Sequence, residues 1–139
     1  MLVRELMTEH PICVEGSASL GEAVDLFMEV PFRHLPVTEE GALVGMLSDR
    51  DVRSLIAPRV VDQEALASLK ARYEQRVSQI MAPDPVTTHP EEDLSTAISM
   101  MLEHRVGALP VVDSASGDLL GILSYVDILR AAQEFLEQA

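Results

Sequence analysis

The sequence predicts a mixed α+β fold built from two copies of one β-α-β-β-α unit. Three observations carry this. The stretch Val3–Ser54 (VRELMTEHPICVEGSASLGEAVDLFMEVPFRHLPVTEEGALVGMLSDRDVRS) aligns with Val77–Arg130 (VSQIMAPDPVTTHPEEDLSTAISMMLEHRVGALPVVDSASGDLLGILSYVDILR), with Ala115 and Ser116 extra in the second copy. Within each copy, apolar residues recur first at helical spacing and then as two short runs separated by a glycine-containing turn. The second run of each copy enters a helix at a junction of identical spacing, Gly45, Ser48, Asp51 and Gly121, Ser124, Asp127. Copies of one supersecondary unit bury their apolar faces on each other. A pseudo-twofold pair then places two equivalent clefts where the copies meet, and function is sought there.

Each copy begins with a short helical turn, Val3–Met7 or Val77–Met81. It stops at His10 and Pro11, or at Pro83, Asp84 and Pro85, because proline disfavours helix at the residue before it. Extended segments follow at Ile12–Val14 and Val86–Thr88. Ser19 with Glu22 three residues on has the capping-box form. It opens a helix carrying Leu20, Ala23, Val24, Phe27 and Met28 at helical spacing. The counterpart runs from Leu94 through Ala97, Ile98, Met101 and Leu102. The strand pairs are Leu35–Val37 with Leu43–Leu47 and Leu109–Val112 with Leu119–Leu123, joined by turns at Glu39–Gly41 and Ser114–Asp118. Helices then start at Ser48 and Ser124. Between the copies, after Pro58, Asp62–Arg76 is rich in strong helix formers and stripes Ala65, Leu66, Leu69 and Tyr73 on one face. It is expected to cover an edge or to meet a partner chain. The predicted divisions are repeat one over 1–56, a linker helix over 57–76, repeat two over 77–133, and a helical tail over 134–139.

The bulk composition excludes several functions. A net charge of −13 argues against nucleic acid, whose binding rests on phosphate neutralisation by Lys and Arg. Aromatics are only 4% and Trp is absent, so a base-stacking surface is not expected. Lys70 is the only lysine, so any phosphate site needs local arginines or backbone N–H groups. Cys13 is the only cysteine, which rules out an internal disulfide and fits a reducing compartment. The N-terminus MLVRELMTEH lacks a signal-peptide pattern, and no apolar run has membrane-spanning length. A cytoplasmic protein is expected, without membrane contact. His10, His34, His89 and His104 share no metal-ligand spacing, and no metal site is expected. With no nucleophile–base pair and no paired carboxylates, no catalytic residues are assigned and an enzyme is not expected.

The strand-to-helix junction supports two compatible readings. Ser-x-x-Asp at a helix start is an ordinary cap, the hydroxyl bonding N–H groups of the first turn. The same geometry suits a nucleotide. A helix N-terminus with a hydroxyl binds phosphate, and a carboxylate one turn in can hold both hydroxyls of a ribose. One such junction says little; two inside a repeat say much more.

With the leaders LMTEHPICV and IMAPDPVTT, the segments RHLPV and GALPVVD, and the junctions GMLSDRD and GILSYVD, the chain resembles the tandem cystathionine-β-synthase (CBS) domain pair, or Bateman module. The resemblance covers everything outside the linker and tail. It implies two sheets packed face to face and an adenosine-type ligand: AMP, ADP, ATP, S-adenosylmethionine or a dinucleotide. It implies a regulator that acts on an effector protein and pairs into a disc-like homodimer. The apolar content of Leu26–Met28 and Met100–Leu102 likewise exceeds what one helix stripe buries internally, which points to a dimer.

In this family the clefts are shared across the repeats, so contacts carry over by crossing. The Asp51 cleft takes Ser48 and Arg50 with Val86, Thr87, Gly107, Ala108 and Pro110. The Asp127 cleft takes Ser124 with Ile12, Cys13, Arg33, His34 and Pro36. Asp51 and Asp127 hold ribose, Ser48 and Arg50 hold phosphate, and the apolar residues hold the base. Val126 stands where copy one has Arg50, so Arg33 and His34 supply the phosphate charge of the Asp127 cleft. On that count, anionic nucleotides are expected to prefer the Asp127 cleft. The competing reading is a ligand-free scaffold for dimerisation or docking.

Overall fold

A computed structural model describes residues 1–56 and 62–139. In chain order it contains β1 (Thr8–Glu9), β2 (Val14–Glu15), α1 (Leu20–Glu29), β3 (His34–Glu39), β4 (Ala42–Ser48), α2 (Asp49–Ile56), α3 (Gln63–Glu74), β5 (Ala82–Pro83), α4 (Leu94–His104), β6 (Ala108–Val112), β7 (Leu119–Ser124) and α5 (Tyr125–Glu137). Single 3₁₀ turns at Val3–Glu5 and Val77–Gln79 open the two leaders. The fold is the expected mixed α+β class. Two compact units emerge, Ile12–Asp84 and Met1–Pro11 with Pro85–Ala139. The leader of each repeat therefore belongs with the body of the other.

In the unit Ile12–Asp84 the sheet order is β2-β3-β4-β5. Strand β2 runs parallel to β3, with Val14 beside Val37, and β3 pairs antiparallel with β4, with Leu35 opposite Leu47. Glu40 and Gly41, with φ of 51° and 83°, close that hairpin. Positive φ at both central residues matches the right-handed twist of the strands. Ser19 and Glu22 form the reciprocal capping box that starts α1. The core gathers Val14, Leu20, Ala23, Leu35, Val37, Leu47, Val52 and Val77. Each leucine fully buried there stabilises by about 1.5–3 kcal/mol.

The linker helix is α3, capped by Asp62, whose carboxylate accepts from the Ala65 N–H. It packs on α1 and α2. Ala65, Leu69 and Tyr73 are half-buried, whereas Leu66 of the same stripe is exposed. Residues 57–61, which include Pro58 and the start of the predicted linker, lie outside the described residues.

The other unit repeats this plan with sheet order β1-β7-β6. Leu109 faces Leu123, and Thr88 makes a single parallel bridge to Val111. Its core gathers Val3, Ala97, Met101, Leu109, Val111 and Leu123. Helix α5 has no buried residue and leaves Leu129, Phe135 and Leu136 exposed.

The exchanged leaders are anchored alike. Val3 N–H donates to Glu92 O, and Val77 N–H to Ala18 O. Both valines are fully buried. Strand β1 then pairs antiparallel with β7, Glu9 opposite Gly121, and β5 with β4, Pro83 opposite Gly45. These strands of two residues are too short for any periodicity to announce them. The extended segments expected at Ile12–Val14 and Val86–Thr88 contract to β2 and to the Thr88 bridge. No helix among the described residues is long and apolar enough to cross a membrane.

Candidate functional site

The first junction lies on the unit Ile12–Asp84. Strand β4 ends at Ser48, directly opposite His34 on β3, and Asp49 N–H donates to Arg33 O at 2.8 Å. Ser48 Oγ accepts from Asp51 N–H at 3.1 Å and so caps α2. The return half of the capping box is not made. The Asp51 side chain is exposed, and no donor among the described residues reaches its carboxylate. Arg50 is exposed beside it and forms no ion pair among the described residues. Arg33 is already engaged: its Nη1 lies 3.0 Å from Asp49 Oδ2, which also receives Arg53 Nε at 3.0 Å. His34 is half-buried. Burial pushes its pKa below the ordinary 6.5, and the nearby Asp51 carboxylate opposes that shift.

The second junction lies on the other unit. Ala108 faces Ser124, and Tyr125 N–H donates to Gly107 O at 2.9 Å, reproducing the first backbone. Here the capping box is complete. Asp127 Oδ2 accepts from Ser124 N–H at 2.9 Å and Ser124 Oγ at 3.1 Å, and Asp127 N–H donates to Ser124 Oγ at 3.3 Å. Thr8 Oγ1, on the exchanged leader, lies 3.4 Å from Asp127 Oδ1. The residue matching Thr8 in the other leader is Ala82, which has no hydroxyl.

Both junction glycines are required by the exchanged leaders. A Cβ on Gly121 would lie 2.7 Å from Thr8 O, and one on Gly45 would strike Met81 Sδ and come within 2.9 Å of Ala82 O. The glycine of each motif thus admits a strand rather than a ligand.

Ile12, Cys13, Arg33, His34, Pro36, Ser48, Arg50 and Asp51 belong to one unit, and Val86, Thr87, Gly107, Ala108, Pro110, Ser124 and Asp127 to the other. Each crossed set draws on both units, so neither unit alone holds either set. Pro36, Ala108 and Pro110 are buried, Val86, Thr87 and Gly107 half-buried, and Ile12 exposed. Cys13 lies at the surface, and partial burial with the neighbouring Glu15 pushes its thiol pKa up, away from reactivity. A groove of about 610 Å³ beside it is walled by Glu15, Glu22, Asp25 and Glu29 with no cation in its lining, so it does not suit phosphate.

Sequence reasoning missed Thr8 and Asp49, whose contacts with Asp127 and Arg33 span 119 and 16 positions. It also missed Thr88, whose hydroxyl is buried without a partner among the described residues where copy one has Val14.

The CBS domain model matches residues 3–58 and 77–134. The chain belongs to the CBS-domain family. It is a tandem pair of such domains. It is 33% identical to CBSX2 of Arabidopsis thaliana, whose structure in complex with AMP matches with a TM-score of 0.78 over 96% of this chain and 97% of that one. YhcV of Bacillus subtilis, a CBS domain-containing protein, is 29% identical over 91% of this chain and 81% of its own length. Homoserine O-acetyltransferase of Methanocorpusculum labreanum is 31% identical over 89% of this chain, which spans only 23% of that protein.

Proposed function

We propose that this CBS pair is a regulatory module that senses an adenosine-type nucleotide. The doubled Ser-x-x-Asp junction carries the reading, in a chain 33% identical to a protein crystallised with AMP. Asp51 accepts the two ribose hydroxyls, and Ser48 with the first N–H groups of α2 receives phosphate. Arg50 adds local positive charge in a protein of net charge −13. Ser124 and Asp127 do the same work in the second repeat. Val86, Thr87, Gly107, Ala108, Pro110, Ile12, Cys13 and Pro36 serve the base, and Arg33 and His34 serve the phosphate. AMP is the first ligand to test, ahead of ADP, ATP and S-adenosylmethionine.

The module acts in trans on an effector protein in the cytoplasm and is not itself an enzyme. Supporting this, Ser48 Oγ is occupied as a cap acceptor and no histidine bonds it among the described residues. The match to the acetyltransferase is confined to 23% of that protein, so its activity does not transfer. Exposed Met28, Leu102 and Leu129 favour pairing with a second copy of the chain. The same apolar faces are what a docking scaffold without ligand would use, and this is the reading to beat.

A thermal-shift panel of adenine and guanine nucleotides, S-adenosylmethionine and dinucleotides separates the two. At a free concentration 100 times Kd, one site stabilises by about 2.7 kcal/mol, which raises Tm by roughly 9 °C in a chain of this size. No shift with any adenosine ligand at millimolar concentration leaves the scaffold.

A further inference from the structure

The two junction carboxylates are not equally available. Asp127 Oδ2 already accepts from Ser124 N–H and Ser124 Oγ, and Oδ1 faces Thr8 Oγ1. A ribose that needs acceptors on this carboxylate must compete with donors the protein supplies to itself. Asp51 is exposed and receives none from the described residues. The leader residue that reaches Asp127 is threonine, whereas the equivalent leader residue beside β4 is alanine. The local cations follow the same division. Arg50 stands next to Asp51, while Val126 occupies its place next to Asp127.

We propose that Thr8 is a positioning residue that holds Asp127 out of reach, so that nucleotide fills the Asp51 junction first and the Asp127 junction only at higher concentration. This rests on the nucleotide-sensing reading above and adds to it two thresholds, set by one hydroxyl on the exchanged leader. It reverses the order expected from counting Arg33 and His34 toward Asp127, because Arg33 is spent on Asp49. A rise in ligand concentration then acts in two stages. The first occupies a ready carboxylate. The second breaks the Thr8 contact and loosens β1 at its pairing with β7.

Calorimetric titration of AMP into the full chain and four variants tests it. Asp51→Asn should weaken the tighter site at least about tenfold, the loss of hydrogen bonds to a charged group. Asp127→Asn should leave that tighter site within about twofold. Thr8→Val should tighten the weaker site by about three- to tenfold, the range for one competing hydrogen bond. Thr8→Ser, which keeps the hydroxyl, should return the wild-type value, a rescue that a purely structural role for Thr8 would not give. Circular dichroism confirms folding of each variant, and the two aspartate variants test the order without Thr8. Equal losses from the aspartate variants, a larger loss from Asp127→Asn, or an unmoved weaker site in Thr8→Val would each overturn the inference while leaving nucleotide sensing intact. Failure of wild-type protein to bind AMP or any other adenosine ligand at millimolar concentration removes both.

Discussion

At Ser48–Asp51 and at Ser124–Asp127 the chain makes the same turn from strand to helix, with the same cap and the same backbone bond from the first helical residue to the strand opposite. The side chains around that turn differ, four differences bearing on the carboxylates. His34 stands against Ser48 where Ala108 stands against Ser124, Arg50 corresponds to Val126, Asp49 to Tyr125, and the crossing leader brings Ala82 to one and Thr8 to the other. One carboxylate consequently lies open next to Arg50, and the other closes on its own cap. The topology is shared, because both repeats keep the leucine pairs and the crowded junction glycines. The positions around it set the chemistry of each junction separately.

The largest expected effect tests what the two junctions share. Gly121→Ala and Gly45→Ala should each destabilise by about 1–3 kcal/mol, the range for forcing an atom into a packed site. Gly121→Ala should be the worse, since its nearest obstacle is the Thr8 carbonyl, whereas Gly45 meets a flexible methionine first. Urea denaturation with an unchanged m-value measures both, and a neutral result at Gly121 would mean that β1 does not cross there.

The next effect separates the junctions in the absence of ligand. Asp127→Ala should cost about 1 kcal/mol, the usual loss for a helix cap. Asp51→Ala should stay within about 0.5 kcal/mol, as for a surface residue without partners. Equal costs would show that Asp51 is tied into its cap as Asp127 is.

A smaller effect contrasts Thr88 with Val14, its equivalent in the first repeat. Thr88→Val removes a buried hydroxyl without a partner and should raise stability by about 1 kcal/mol. A loss of stability would show that the hydroxyl finds an acceptor.

The smallest effect concerns His34. Its folded pKa lies below 6.5, so as pH falls the unfolded chain takes up the proton first. The contribution from this group is present above the unfolded pKa and is lost as pH falls through the folded one. His34→Gln should therefore lose less stability than wild type over that acid window. Asp51→Asn should move the His34 NMR titration further down, because the opposing charge is gone. An upward move would place Asp51 elsewhere than beside His34.

Much of this was legible in the residues. The repeat, the Ser19–Glu22 box, both strand pairs and both capped junctions follow from spacing and composition, because each is a local device. The exchange of leaders was not legible, since β1 and β5 are short and pair with residues far along the chain. Thr8 and Asp127 are separated by 119 positions, and nothing in TEHP marks the threonine as a donor. The charge count over Arg33 and His34 left out their surroundings for a related reason. Asp49, which holds Arg33, lies 16 positions from it, and the burial that lowers the His34 pKa depends on how β3 and β4 lie together.

The most direct measurement is a crystal structure of the chain grown with one equivalent of AMP. The account predicts ribose hydroxyls on the Asp51 carboxylate with phosphate at Ser48 and Arg50, while Asp127 still accepts from Ser124 and Thr8. Ribose bound at Asp127 with Asp51 empty, or nucleotide held away from both carboxylates, would contradict it.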